Sequence, residues 1–268
     1  MQRSFLKWVG GKYSALDSIF KDLPREGRCL VEPFMGSSTV SLNTDYEKYI
    51  LNDTNSDLVF LCEWITKNTK EAIEFSKVYF SPKFNNEKTY YQLRDKYNLS
   101  KDKKERAAIF LYLNRHGHKG LSRYNKSGIY NVPYGWYKNP RFPEQEILFY
   151  ALKFKNARFV CGGFQDLKFN RTIDLNVYSD PPYLPFSKTA SFSEYSQKGF
   201  KKEDHLALDK KSCFWSKGTG GVWVSNHSVP LIEDCYPKHL SSRTFLVNRT
   251  IAGRVNSDKS VMEILMKY

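Results

Sequence analysis

The chain has 268 residues, with 42 Lys and Arg against 28 Asp and Glu, and aromatic side chains make up 16% of it. A formal surplus of 14 positive charges on an aromatic-rich chain points to a polyanionic partner, nucleic acid first. No apolar run approaches the ~18 residues of a membrane span, and Met1-Gln2-Arg3-Ser4 leads into folded-looking sequence without the pattern of a signal peptide. Cys29, Cys62, Cys161, Cys213 and Cys235 are odd in number, widely spaced and form no C-x-x-C. They read as reduced, mostly packed thiols of a cytoplasmic protein, not as a zinc site or disulfide frame.

Taken in chain order, Gly10-Gly11 predicts a tight turn between Trp8 and Lys12, leading into an amphipathic helix on Leu16, Ile19, Phe20 and Leu23 that Pro24 ends. Gly-Gly-Lys lacks the spacing of a Walker A loop, so a nucleoside triphosphate is not expected here. Cys29–Leu42 reads as a short strand, a loop of small residues around Gly36, and a helix start. Tyr49-Ile50-Leu51-Asn52-Asp53 is a second strand ending in an acid. Asp53 stands 53 − 36 = 17 residues after Gly36, near the spacing at which a Rossmann acid meets a ribose hydroxyl. Only one glycine stands where dinucleotide loops carry three, which favours a cofactor without a pyrophosphate.

From about Asn55 to Pro143 the texture changes. Leu58, Leu61, Cys62 and Ile65, and later Tyr90, Tyr91, Leu93 and Tyr97, have helical spacing and read as core; a further helix runs from Lys101 to Leu113. Asn114 to Lys138 is rich in Arg, Lys, His and Tyr, and Asn125-Lys126-Ser127-Gly128 predicts a hairpin turn. Basic side chains interleaved with aromatics on a hairpin suit a DNA groove. His116 and His118 have no cysteine or acid at ligand spacing, so no metal is expected. After Pro143, strands at 158–161, 173–179, 221–225 and 262–266 alternate with helices at 144–155 and 203–217. The whole is an α/β alternation interrupted by an insertion at 56–143. Polar stretches at 186–200 and 249–259 carry no packing signal and are expected to be mobile.

Asp180-Pro181-Pro182-Tyr183 follows the strand that ends at Ser179. Two prolines fix φ and remove two N–H donors, so the loop is stiff and can aim an acid, a free carbonyl and an aromatic face at one planar group. An exocyclic amine on a nucleobase needs two acceptors and a ring to stack on. Its lone pair is delocalised, and acceptors that bond both N–H groups only as the nitrogen turns tetrahedral act most strongly in the transition state.

These pieces together resemble the Dam-type DNA adenine-N6 methyltransferases, the GATC-reading family. The resemblance rests on Phe5–Lys12, Val31–Gly36, Phe110–Arg115, Asn131–Gly135, Asp180–Tyr183 and Ser225–His227, in the order of the family's alpha group. It implies a Rossmann-like α/β core (1–55 and 144–268) with a mostly parallel sheet that uses S-adenosylmethionine. It also implies an inserted, mainly helical target-recognition domain (56–143) bearing a β-hairpin. Trp8, Lys12, Glu32, Phe34, Gly36, Asp53 and Asp180 would meet the cofactor; Asp180, Pro181, Pro182 and Tyr183 would receive a flipped adenine. Lys7, His118, Lys119, Leu121, Arg123, Pro133 and Tyr137 would contact double-stranded DNA, with Arg123 and Leu121 similar to the family's half-site readers. The family's usual residues differ at Ser38, His118 and Trp136, which puts a gap-filling stack at His118 and a phosphate contact at Trp136 in question. A monomer is expected, cytoplasmic and nucleoid-associated, or in a host cytoplasm if phage-encoded. An N4-cytosine methyltransferase and a non-catalytic DNA-binding protein on the same scaffold stay open as alternatives.

Overall fold

Short runs of branched and aromatic residues bounded by Gly, Pro and Asp form strands wherever both faces can be covered. The computed structural model describes residues 1–185, 199–250 and 258–268, with only the backbone described at 249–250 and 258–259. Seven strands make one sheet: β1 (Glu26–Glu32), β2 (Asp45–Asp53), β3 (Arg158–Cys161), β4 (Leu175–Ser179), β5 (Gly221–His227), β6 (Ser241–Thr250) and β7 (Asp258–Lys267). Their order is β3-β2-β1-β4-β5-β7-β6. The first five pair in parallel, while β7 runs antiparallel between β5 and β6. β4 and β5 are buried at every position, which is why Val222-Trp223-Val224 reads as a continuous apolar run. Burial of such a side chain contributes ~1.5–3 kcal/mol, and this packing holds the strand ends rigid.

The helices are α1 (Leu16–Ile19), α2 (Thr39–Leu42), α3 (Ser56–Lys67), α4 (Thr69–Lys77), α5 (Glu87–Leu99), α6 (Lys103–His116), α7 (Glu144–Lys153), α8 (Lys202–Ser216) and α9 (Leu231–Cys235). The expected helix on residues 16–23 is a single turn. Leu16, Ile19 and Leu23 are buried as expected, but the chain closes into turns after Ile19 instead of winding on. The expected hairpin is also minimal. Two isolated antiparallel bridges, Gly117 to Tyr134 and Tyr124 to Tyr130, replace a ladder. The turn itself is as read, with Gly128 N–H donating to the Asn125 carbonyl at 2.9 Å. Of the stretches at 186–200 and 249–259, residues 186–198 and 251–257 fall outside the described residues, while 249–250 and 258–259 belong to β6 and β7.

Strand order reverses between β1 and β4. In open parallel sheets that is where the loops at the carboxyl ends of the strands splay apart and leave a crevice. Glu32 ends β1, Asp53 ends β2 and Asp180 follows β4, so three acids from distant parts of the chain reach one rim. Among the described residues no helix is long and apolar enough to cross a membrane.

Candidate active site

Asp180 stands just past β4, and its Oδ2 lies 2.7 Å from the Lys12 ammonium. Lys12 is only 6% exposed; its Nζ also donates to the Gly10 carbonyl at 2.7 Å and sits 4.6 Å from the centre of the Tyr183 ring. Oδ1 of Asp180 is buried and accepts no hydrogen bond among the described residues. Burial raises the Asp180 pKa, and Lys12 opposes that rise. One oxygen of the carboxylate is therefore anchored and the other remains an available acceptor.

The rest of the Asp-Pro-Pro-Tyr loop is fastened to the neighbouring strands. Tyr183 donates its hydroxyl to Glu263 Oε2 on β7 at 2.9 Å, and its ring meets His227 edge to face at 4.7 Å. Leu184 N–H donates to Asn226 Oδ1 at 2.9 Å, and His227 Nδ1 lies 2.8 Å from the Leu184 carbonyl. Pro181 is buried and Pro182 half-buried, with no N–H of their own to satisfy. The reason for Ser225-Asn226-His227 is thus mechanical: the end of β5 clamps the loop that follows β4.

On the other side of the switch point, Asp53 closes the β1–α2 loop. Gly36 N–H donates to its Oδ2 at 3.1 Å and Asn55 N–H to its Oδ1 at 2.9 Å. Burial raises its pKa against those backbone donors. Gly36 has φ +45°, and a Cβ there would meet Trp8 Nε1 at 2.7 Å, so Trp8 lies directly on the glycine. Gly36→Ala is therefore expected to push Trp8 aside and to cost ~1–2 kcal/mol for the left-handed backbone; a lowered melting temperature and altered tryptophan fluorescence check it. Ser38, where the family often has glycine, also takes a left-handed backbone, φ +53°, and bonds the Tyr150 hydroxyl at 3.1 Å. Phe34 forms an aromatic wall with Phe164 and Phe200 at 5.4 and 5.8 Å.

Glu32 is buried, and its Oε1 accepts from Ser41 N–H at 2.7 Å and from the Ser41 hydroxyl. Burial pushes its carboxyl up to about 8, opposed by the Ser41 bonds and reinforced by Asp180. It therefore holds α2 against the loop and does not face outward as a free carboxylate.

The DNA-contact candidates also come together. Lys7 Nζ lies 3.7 Å over the Tyr137 ring, and the Tyr137 hydroxyl accepts from Lys119 N–H at 3.1 Å. His118 N–H donates to the Pro133 carbonyl at 2.9 Å, and the Leu121 carbonyl accepts from the Tyr130 hydroxyl at 3.0 Å. Arg123 is exposed and reaches across the loop to Asn131, Nε to Oδ1 at 2.8 Å. Burial, and then Arg115, lower the Lys7 pKa to about 8. His118 is exposed, whereas His116 stacks on Tyr112 at 4.0 Å in the core. Among the described residues no group of three or more His, Cys, Asp or Glu is placed to hold a metal ion.

Asn114 and Glu263 went unassigned by sequence reasoning. Asn114 is buried on α6 and bonds Lys7 through both main-chain groups, at 2.9 and 2.6 Å, tying the amino-terminal segment to the insertion. The same segment reaches Asp180 through Lys12, five residues later. Glu263 lies 80 residues from its Tyr183 partner, and no local spacing could have signalled it.

A mostly parallel sheet of this order, with an acidic Pro-Pro-Tyr loop at its switch point, is the core of a Rossmann-like methyltransferase. A family model described as D12 class N6 adenine-specific DNA methyltransferase matches residues 8–248, and the chain belongs to that family. It is 41% identical over 267 residues to a DNA adenine methylase of Serratia marcescens, covering 99% of this chain and 98% of the relative. Those of Salmonella typhi (42%, 99% and 95% covered) and Escherichia coli K12 (41%, 99% and 95%) are similarly close. The chain is accordingly an adenine-N6 DNA methyltransferase, and the N4-cytosine and non-catalytic alternatives fall.

Proposed function

We propose that the chain moves the methyl group of S-adenosylmethionine onto N6 of an adenine flipped out of double-stranded DNA, within GATC. In this reading residues 1–55 and 144–268 do the chemistry, and 56–143 read the sequence. A monomeric, cytoplasmic enzyme without a metal is the matching expectation. The observation that carries the proposal is Asp180, with Oδ2 anchored on Lys12 and Oδ1 kept as an acceptor at the switch point.

The residues fit the donor. Asp53 takes backbone N–H bonds from Gly36, Asn55 and Thr54, and its two oxygens, with about four acceptor directions between them, keep one for a ribose hydroxyl. Phe34 and Trp8 are half-buried and offer ring surface beside Gly36. When bound, S-adenosylmethionine supplies a sulfonium methyl group open to in-line attack. Lys12 fixes the Asp180 carboxylate so that Oδ1 and the Pro181 carbonyl can each take one N–H of the adenine amine. Those bonds improve as the nitrogen becomes tetrahedral, so they stabilise the transition state more than the bound substrate. Burial makes the carboxylate a stronger acceptor, and preorganisation spares its reorientation during the reaction. Tyr183, held by Glu263 and His227, offers a ring of fixed orientation for the flipped base. Holding both reactants in line supplies ~7–11 kcal/mol of the barrier reduction.

Incubating unmethylated plasmid with the enzyme and S-adenosylmethionine tests this. The product should become resistant to a nuclease that adenine methylation at GATC blocks, and sensitive to one that requires it. Incorporation of label at adenines outside GATC, with GATC still unmodified, would overturn the specificity.

A further inference from the structure

Directly beneath the Arg123 segment lies a polar group that the chemistry described so far does not use. Asp57, in the first turn of α3, receives Arg106 in a fork: Nε to Oδ1 at 3.0 Å and Nη2 to Oδ2 at 2.6 Å. The Tyr97 hydroxyl donates to the same Oδ2 at 2.5 Å and lies 2.8 Å from the Tyr124 hydroxyl. Because the single proton of Tyr97 goes to the carboxylate, Tyr124 must be the donor in the second bond. Arg106 also donates to the carbonyls of Tyr97 and Ser100 at 2.6 and 3.2 Å, and its guanidinium lies 4.4 Å from the Tyr97 ring centre.

This chain of bonds ends next to the reader. Tyr124 follows Arg123 directly and forms the antiparallel bridge to Tyr130, and the two rings meet at 5.5 Å. Asn98 then fastens Tyr130 through both main-chain groups, at 2.9 and 3.1 Å. Within the loop the Arg123 carbonyl accepts from Asn131 N–H at 3.2 Å and Asn125 N–H donates to the Ile129 carbonyl at 2.9 Å, while the side-chain bonds at Tyr124 and Tyr130 fix the loop to the helices beneath it. The same turn serves the donor side: Asn55 gives its N–H to Asp53 and caps α3 by accepting from the N–H groups of Asp57 and Leu58. Burial pushes the Tyr124 hydroxyl up to about 12 and raises that of Tyr97 further, so both stay protonated as the bonds require.

We propose that Asp57, Tyr97 and Tyr124 form a positioning relay that aims Arg123 at its base, so that sequence discrimination depends on a carboxylate that touches neither DNA nor the methyl donor. This rests on the proposed reading role of Arg123. Tyr124→Phe removes one hydroxyl and keeps the ring; Asp57→Asn removes the charge and bears more on folding, so Tyr124→Phe is the primary variant. The readout is the ratio of kcat/KM on GATC to that on duplexes singly substituted at the position Arg123 reads, together with the Kd for S-adenosylhomocysteine and the melting temperature.

Tyr124→Phe should lower that ratio about tenfold, a ~1.4 kcal/mol loss, with the S-adenosylhomocysteine Kd unchanged. Adding Arg123→Ala to it should lower the ratio no further than Arg123→Ala alone, because the relay acts only through that side chain. A merely structural role would lower the melting temperature and all rates together at constant ratio, and that result overturns the relay. Additive losses in the double variant overturn it equally. An unchanged ratio in Arg123→Ala itself shows instead that the reader lies elsewhere, and removes both readings.

Discussion

Asp180→Asn should lower the rate of methyl transfer by at least ~10²–10³-fold, the scale on which loss of one preorganised transition-state partner is felt, while duplex affinity stays near that of the parent. Asparagine suits the test because it keeps the shape. Lys12 presents only donors, so it selects the amide oxygen and turns the amide NH2 toward the position of Oδ1. A donor then faces the amino group of the adenine where an acceptor stood. Asp180→Ala should abolish transfer too, but it leaves Lys12, at 6% exposure, without its counter-charge. Breaking a buried pair from one side costs ~3–5 kcal/mol, so the alanine variant reports stability as well as chemistry. Single-turnover methylation and equilibrium duplex binding, measured in parallel, separate the two. Transfer within tenfold of the parent in both variants would end the assignment of Asp180.

Arg123→Ala should relax discrimination at one guanine position of the site by ~1–3 kcal/mol, the worth of a bidentate contact to O6 and N7, with adenine still methylated in GATC. The side chain is exposed and braced: Nε donates to Asn131 Oδ1 at 2.8 Å and Nη2 to the Asn131 carbonyl at 3.3 Å. Of its five N–H donors these bonds occupy two, leaving Nη1 and the second Nη2 hydrogen as a fork. Bracing limits the rotamer freedom lost on binding, which favours a reading role over a loose phosphate contact. The measurement is kcat/KM on GATC against each singly substituted site. A uniform fall across all sites, with every ratio preserved, would make Arg123 a backbone clamp.

Where a segment's role depends on its own neighbours, it was legible in the linear chain. Gly36 between a strand and a helix start, Asp53 at a strand end and two prolines after a strand are local patterns, and the structure has each as read. Alternation of short apolar runs with amphipathic ones was enough for an α/β sheet, because burial on one or both faces writes its period into the sequence. The resemblance added what spacing could not, namely which pieces act on DNA.

Other features exist only because the sheet brings distant residues together. Strand β6 went unread: Ser241, Ser242, Arg243 and Thr244 are polar, and the only apolar run, Phe245-Leu246-Val247, is three residues long and sits at an edge, where pairing with β7 makes it a strand. Glu32 reads as an acid of the cofactor loop, and its bond to Ser41, which makes it an internal brace as well, had no signal in the spacing. Composition, element types and the loop chemistry around Asp180 belong to the sequence by itself. The ion pair from Lys12, the clamp from Asn226, His227 and Glu263, and the relay from Asp57 to Tyr124 were decided by tertiary structure. Their partners lie from 27 to 168 residues apart along the chain (124 − 97 = 27; 180 − 12 = 168), and only the folded sheet and the helices of the insertion bring them within hydrogen-bonding distance.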